Sequence, residues 1–312
     1  MSWDEMSVHV GDIYRLAISN ELRGYGFWLD GSEWQYPEMP MADVGSPYGP
    51  RPSDTVTQVH LRWGDVLNDF SDFTQMPDPE AFDPAITQME KVVERLSVTA
   101  TIDPTTEESI PPNGMDGHIN SLSDVRLASW KGDAADEFRL YLAHLGDKTG
   151  HQWALAWVLL NALRAEQGIW QRAQVDVDQV AHKALSRLSG EGSGEGGGSA
   201  GKVLNALTTL AGFALPGLGS TVKVFTATGA VAQLASLLPK EEGLPGDPSH
   251  IISDMRDDLR KVKEAVEQKE SELHDELTSV AGAVSRKAME YYLERPSLSK
   301  PGNIRDKRGT FS

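Results

Sequence analysis

The chain is 312 residues long, enough for one large domain or two medium ones, and 39% of it is apolar, so a sizeable core is expected. Its net charge is −17, and residues 1–110 alone carry −14 (20 Asp and Glu against 6 Lys and Arg), a balance that repels phosphate backbones and argues against nucleic-acid binding. The absence of cysteine excludes disulfides, cysteine-ligated zinc and a thiol nucleophile. The start, "MSWDEMSVHV", has neither a basic n-region nor an apolar h-region. The chain is therefore expected either to stay in the cytoplasm or to be exported along a route that reads no such peptide.

A helix is predicted from about Glu5 to Leu22, with Val10, Ile13, Leu16 and Ala17 near one face. The stretch "YGFWLDGSEWQYPEMPMADVGSPYGPRP" then reads as irregular, aromatic-rich chain with a small hairpin at Asp30-Gly31. Helical patterning resumes around Asp54 to Phe70. Residues 84–97 form an amphipathic helix opened by Asp83-Pro84, with Ile86, Met89, Val92, Val93 and Leu96 as its stripe. A Pro- and Glu-containing loop over 101–114 precedes a helix over 115–129. From Asp133 to about Leu188 there is no proline and apolar residues recur at helical spacing, which predicts one long helix with possible kinks at its glycines. "SGEGSGEGGGSAG" (189–201) is a flexible linker. Residues 203–222 and 224–239 carry no charge; they suit a helical hairpin that inserts in a membrane or, in preference, a hairpin that is buried or makes an oligomer contact. Ile252, Met255, Leu259, Val262 and Val266 then begin a stripe that predicts a helix from about 248 to 294, packed on a partner helix.

No catalytic constellation stands out. "GGGSAGKV" (196–203) matches a phosphate-binding loop at Gly196, Gly201 and Lys202, but Val203 replaces the metal-binding hydroxyl and no buried strand precedes it. His144, Asp147 and His151 share a helix face, yet the two imidazoles lie about 10 Å apart along the axis, too far for one ion without a bend. No metal, cofactor or catalytic residue is assigned.

The informative stretch is "LASWKGDAADEF" (127–138). Trp130 closes one helix-like segment, Gly132 sits where a turn must form, and Asp133 can cap the next helix, whose first turns carry Ala134, Ala135 and Phe138. The run "W-K-G-D-A-A-D-E-F-R-L-Y-L" resembles the helix-turn-helix tip of the WXG proteins exported by type VII (ESX) secretion systems. It is also similar to the tip of their longer PE/PPE-type and EspB-like relatives. The close likeness covers about residues 115–145, and the helical context extends it to about 188. It implies a helical hairpin, export without a cleaved signal peptide, dimers or larger assemblies, and no enzyme activity. It makes Trp130, Gly132 and Phe138 the candidate residues for secretion or partner recognition. The chain departs from the family in lacking Tyr-x-x-x-Asp/Glu: Tyr14, Tyr25, Tyr141, Tyr291 and Tyr292 are followed at the fourth position by Ile18, Leu29, Leu145, Arg295 and Pro296. A partner chain supplies that signal, or it is degenerate, or this chain is not itself exported.

The expected fold is mostly α: an elongated helical bundle built on a helix-turn-helix hairpin with a W-x-G tip, plus an irregular N-terminal region. Its parts are an acidic, aromatic-rich region (1–78), a WXG-like bundle (79–188), the linker (189–201), an apolar hairpin (202–247), a long helix (248–295) and a tail (296–312). The leading functional expectation is a non-enzymatic type VII secretion substrate or assembly protein. Its expected partners are a second copy or a WXG-like chain, together with the secretion machinery. The alternatives are a membrane-active effector that inserts 203–239, and an enzyme with an acidic site in residues 1–80.

Overall fold

Apolar stripes at helical spacing run through most of the chain, and helix is what they form. In a computed structural model, which describes residues 6–36, 52–97, 101–102, 109–110, 115–122, 129–190, 209–214, 221–226 and 247–292, helix accounts for 85% of the interpretable positions. The fold is mostly α, as expected. Two compact units are distinguished. One comprises 1–78, 169–206 and 229–269, the other 79–168, 207–228 and 270–312.

The first unit opens with helix α1 (Met6–Gly24), whose buried face is Met6, Val10, Ile13, Ala17, Ile18 and Leu22. Strands β1 (Trp28–Asp30) and β2 (Glu33–Gln35) pair antiparallel around a turn at Gly31, where φ is +64°. This is the hairpin expected at Asp30-Gly31, and glycine is the residue that accepts a left-handed turn without strain. Helix α2 (Pro52–Trp63) stops at Gly64 and gives way to a 3₁₀ turn over Gly64–Leu67. The helical pattern read to Phe70 is thus cut short where a residue without a side chain weakens the helix. Val59, Trp63, Val66, Phe70 and Phe73 close over α1. The remaining cover comes from distant parts of the chain. The C-terminal part of helix α5 (Asp133–Ser189) contributes Val177, Val180, Ala181, Ala184 and Leu188. The first part of helix α6 (Pro248–Arg286) contributes Ile251, Ile252, Met255, Leu259 and Val262. The Asn20 side-chain amide donates to the Leu188 carbonyl at 2.7 Å, fixing the end of α5 beside α1.

The second unit is centred on the tryptophans of α5. Helix α3 (Asp83–Leu96) begins with Pro84 in its first turn, where the missing N–H costs nothing. It buries Ile86 and Val93 with Trp153, Trp157 and Leu160 of α5 and Val280 of α6. Arg164 pairs with Glu90 at 2.9 Å. The Gln152 amide donates to the carbonyl of Tyr291 at 3.1 Å, in the short helix α7 (Ala288–Tyr291). The unit also holds helix α4 (Met115–Ser121) and two small strand pairs. Strands β3 (Thr101–Ile102) and β4 (Ser109–Ile110) form one; β5 (Thr209–Ala214) and β6 (Thr221–Thr226) form the other, in register from Thr209↔Thr226 to Ala214↔Thr221.

That last pair differs from the pair of helices considered for 203–239. Thr209, Phe213, Thr221, Val222, Val224, Phe225 and Thr226 are β-formers, and Pro216-Gly217 stands between the two runs, so the local preferences are those of a strand hairpin. The linker 189–201 beyond Gly190 lies outside the described residues, as does the near-match to a phosphate loop at 196–203. Among the described residues no helix is long and apolar enough to cross a membrane.

Candidate functional site

The turn before α5 and the helix's first turns hold the residues that the sequence singled out for recognition, Trp130, Gly132 and Phe138. Gly132 has φ +103°, a backbone shape that L side chains rarely adopt. Its carbonyl accepts the first helical hydrogen bonds, from the N–H of Ala135 at 2.8 Å and of Asp136 at 3.2 Å. Gly132 therefore takes the capping position expected of Asp133, and Asp133 becomes the first residue of the helix. An acid there still faces the positive end of the helix dipole favourably. Trp130 is exposed and its ring meets Phe138 with centroids 5.7 Å apart. Phe138 in turn stacks with Tyr141 at 6.0 Å and 21°. The Arg139 guanidinium donates to the Trp130 carbonyl at 2.6 Å and pairs with Asp136 at 2.8 Å. The result is a short aromatic row along the first turns of α5, held at its tip by one arginine. The structure brings Trp130, Gly132 and Phe138 together as a single feature. Residues 123–128 lie outside the described residues, so the helix expected before the tip is described only over Met115–Ser121.

A second cluster, in the first unit, was not singled out from the sequence. His9 of α1 is 6% exposed. Asp178 and His182 lie one turn apart on α5 and face it. The His9 Nε2 atom stands 4.0 Å from Asp178 Oδ1, and His182 Nε2 stands 3.6 Å from Asp178 Oδ2. The two imidazole rings are 4.6 Å apart between centroids. Neither His9 Nε2 nor Asp178 Oδ1 has a hydrogen-bond partner, although both atoms are buried. At 4.0 Å they are too far apart to bond each other, and an unsatisfied buried polar atom costs about 1–3 kcal/mol. Among the described residues these three are the one set of at least three histidine or acidic side chains whose ligand atoms all lie within 4.8 Å of one another. His9 and His182 also line a cavity of about 870 Å³, together with Trp34 and with the Tyr14–His60 pair, whose hydroxyl and Nδ1 are 3.0 Å apart.

The helix face weighed from the sequence, His144, Asp147 and His151, forms no such set. His151 instead packs its ring on Tyr291 with centroids 5.4 Å apart. The spacing Asp178-x-x-x-His182 was legible as a chelating pair on a helix. Its third member was not, because 169 positions separate His9 from Asp178.

Comparison of the chain with models of known protein families, with curated proteins and with solved structures gave no match.

Proposed function

We propose that the chain is a non-enzymatic interaction protein of a type VII secretion system, an exported substrate or an assembly component, that works through helix–helix contacts. The observation that carries this reading is the exposed Trp130, in a row with the half-buried Phe138 and Tyr141 and built on the positive-φ turn at Gly132. A large aromatic side chain left at the surface beside an arginine has the composition of an interface anchor. The W-x-G resemblance supplies the class of partner: a second copy of the chain or a short WXG-like helical hairpin. The helix-turn-helix tip belongs to this proposal, with the segment before Trp130 as its first arm. Export through that machinery belongs to it as well.

The test is the solution mass of the full chain, alone and mixed with WXG-like chains encoded beside it. A closed oligomer or a stoichiometric complex is expected, and Trp130→Ala should weaken it by about tenfold or more, the usual loss for a buried interface tryptophan. A monomer that takes no partner, or an assembly indifferent to Trp130→Ala, overturns the reading. Insertion of residues 203–239 into a bilayer is the competing proposal. Liposome flotation after cleavage within 189–201 separates the two, because a chain that never floats rules out insertion.

A further inference from the structure

We propose that His9, Asp178 and His182 form a binding site for one divalent transition-metal ion, with zinc as the best fit. Three features of the cluster point there. The donors are of the right kind: two imidazoles and a carboxylate suit zinc and its neighbours, whereas calcium and magnesium take oxygen-only cages. The spacing is right as well. Donors around a tetrahedral zinc at about 2.1 Å stand about 3.4 Å apart. With one donor atom from each residue, all three already lie within 4.8 Å of one another, so reaching that spacing takes at most about 1.4 Å of closure. His182, with a third of its side chain exposed, has room to swing in.

The third feature is the unsatisfied pair. His9 is more than nine-tenths buried, and its Nε2 points at Asp178 Oδ1 without a hydrogen bond. A proton on Nε2 would have to reach across 4.0 Å. A metal ion between the two atoms satisfies both, with His9 neutral and its proton on Nδ1. The three protein ligands leave a fourth position open, and His9 and His182 both border the cavity. A water or a donor atom from a ligand in that cavity completes the shell. The ion would tie α1 to α5 within the first unit.

The experiment is a calorimetric titration of the full chain with Zn²⁺ alone. A parallel titration with Co²⁺ alone is followed by the visible ligand-field absorption that distinguishes tetrahedral nitrogen and oxygen coordination. Three variants are compared, each checked for unchanged helicity by circular dichroism: Asp178→Asn, His182→Ala and His144→Ala. Asp178 and His182 are partly exposed, so their replacement leaves the core intact, and His144 is an exposed histidine outside the cluster. The expected result is one high-affinity ion per chain. Asp178→Asn and His182→Ala should weaken it by about a hundredfold, and His144→Ala should leave it unchanged. Two results overturn the proposal: a wild-type chain with no tighter binding than the cluster variants, or His144→Ala weakening binding as much as they do.

Discussion

Gly132 is the residue on which the aromatic tip depends. A Cβ placed there would meet nothing within 4 Å, so the cost of Gly132→Ala is purely one of backbone conformation at φ +103°. We expect a loss of about 1–2 kcal/mol in urea denaturation, with protease cutting appearing near residue 130; an unchanged midpoint would show that the turn tolerates a second conformation. Trp130 was legible because tryptophan, glycine and a capping acid occur in a local order that means a turn. Arg139 was not, although it holds the Trp130 carbonyl. Its role depends on where a helical residue seven places beyond the glycine points, and an arginine on a polar helix face carries no distinguishing signal. His9 escaped notice for a different reason. A lone histidine among apolar neighbours reads as an ordinary half-buried side chain until the fold brings Asp178 and His182 against it.

At the scale of elements, the later part of α5 and the first part of α6 are joined by a ladder of charges. Arg187 pairs with Asp254 at 2.7 Å and, one turn away on each helix, Lys183 pairs with Asp258 at 2.9 Å. Burial pushes the Asp258 carboxyl up, but hydrogen bonds from Lys183 and Lys261, with their charges, outweigh it and hold the group below the usual aspartate range. A carboxyl lowered in the folded state stabilises the fold at pH values above its unfolded pKa, about 3.9, and loses that contribution as pH falls through the folded value. Lys183→Met should therefore cost about 1 kcal/mol at neutral pH. The penalty should shrink in acid, below about pH 4; a penalty that is the same at both pH values would assign it to packing alone. The ladder shows why helices were the readable part of this chain. Stripes such as Ile252, Met255, Leu259 and Val262 are periodic and announce an element. The pairing of one stripe with another is set by charges on separate elements, and no local window contains both. The strand pair β5–β6 reversed that balance: the absence of charge drew attention, while β-branched and aromatic residues decided the conformation.

For the molecule as a whole, a net charge of −17 means self-repulsion at low ionic strength. Raising salt from ~10 to ~150 mM shortens the screening length from about 30 to about 8 Å. The melting temperature should rise by about 1–2 °C, equivalent to ~1 kcal/mol for a chain of this size. A fall instead would show that the ion pairs of α5 and α6 outweigh the excess negative charge.

The first unit gathers residues from three separate stretches of sequence, and this arrangement bears on how the protein is made. The buried face of α1 needs Val177 to Leu188 and then Ile251 to Val262 to cover it. Between Leu22 and Ile251 lie 228 positions, which a ribosome working at about 5–20 residues per second needs about 10–50 s to add. Until that interval ends, the helix carrying His9 has α2 and its neighbouring turns, and later Val177 to Leu188 of α5, for company, but not the face of α6. A nascent chain in that state presents a sticky surface long before its core can close, and it is there that a holding chaperone would find its grip.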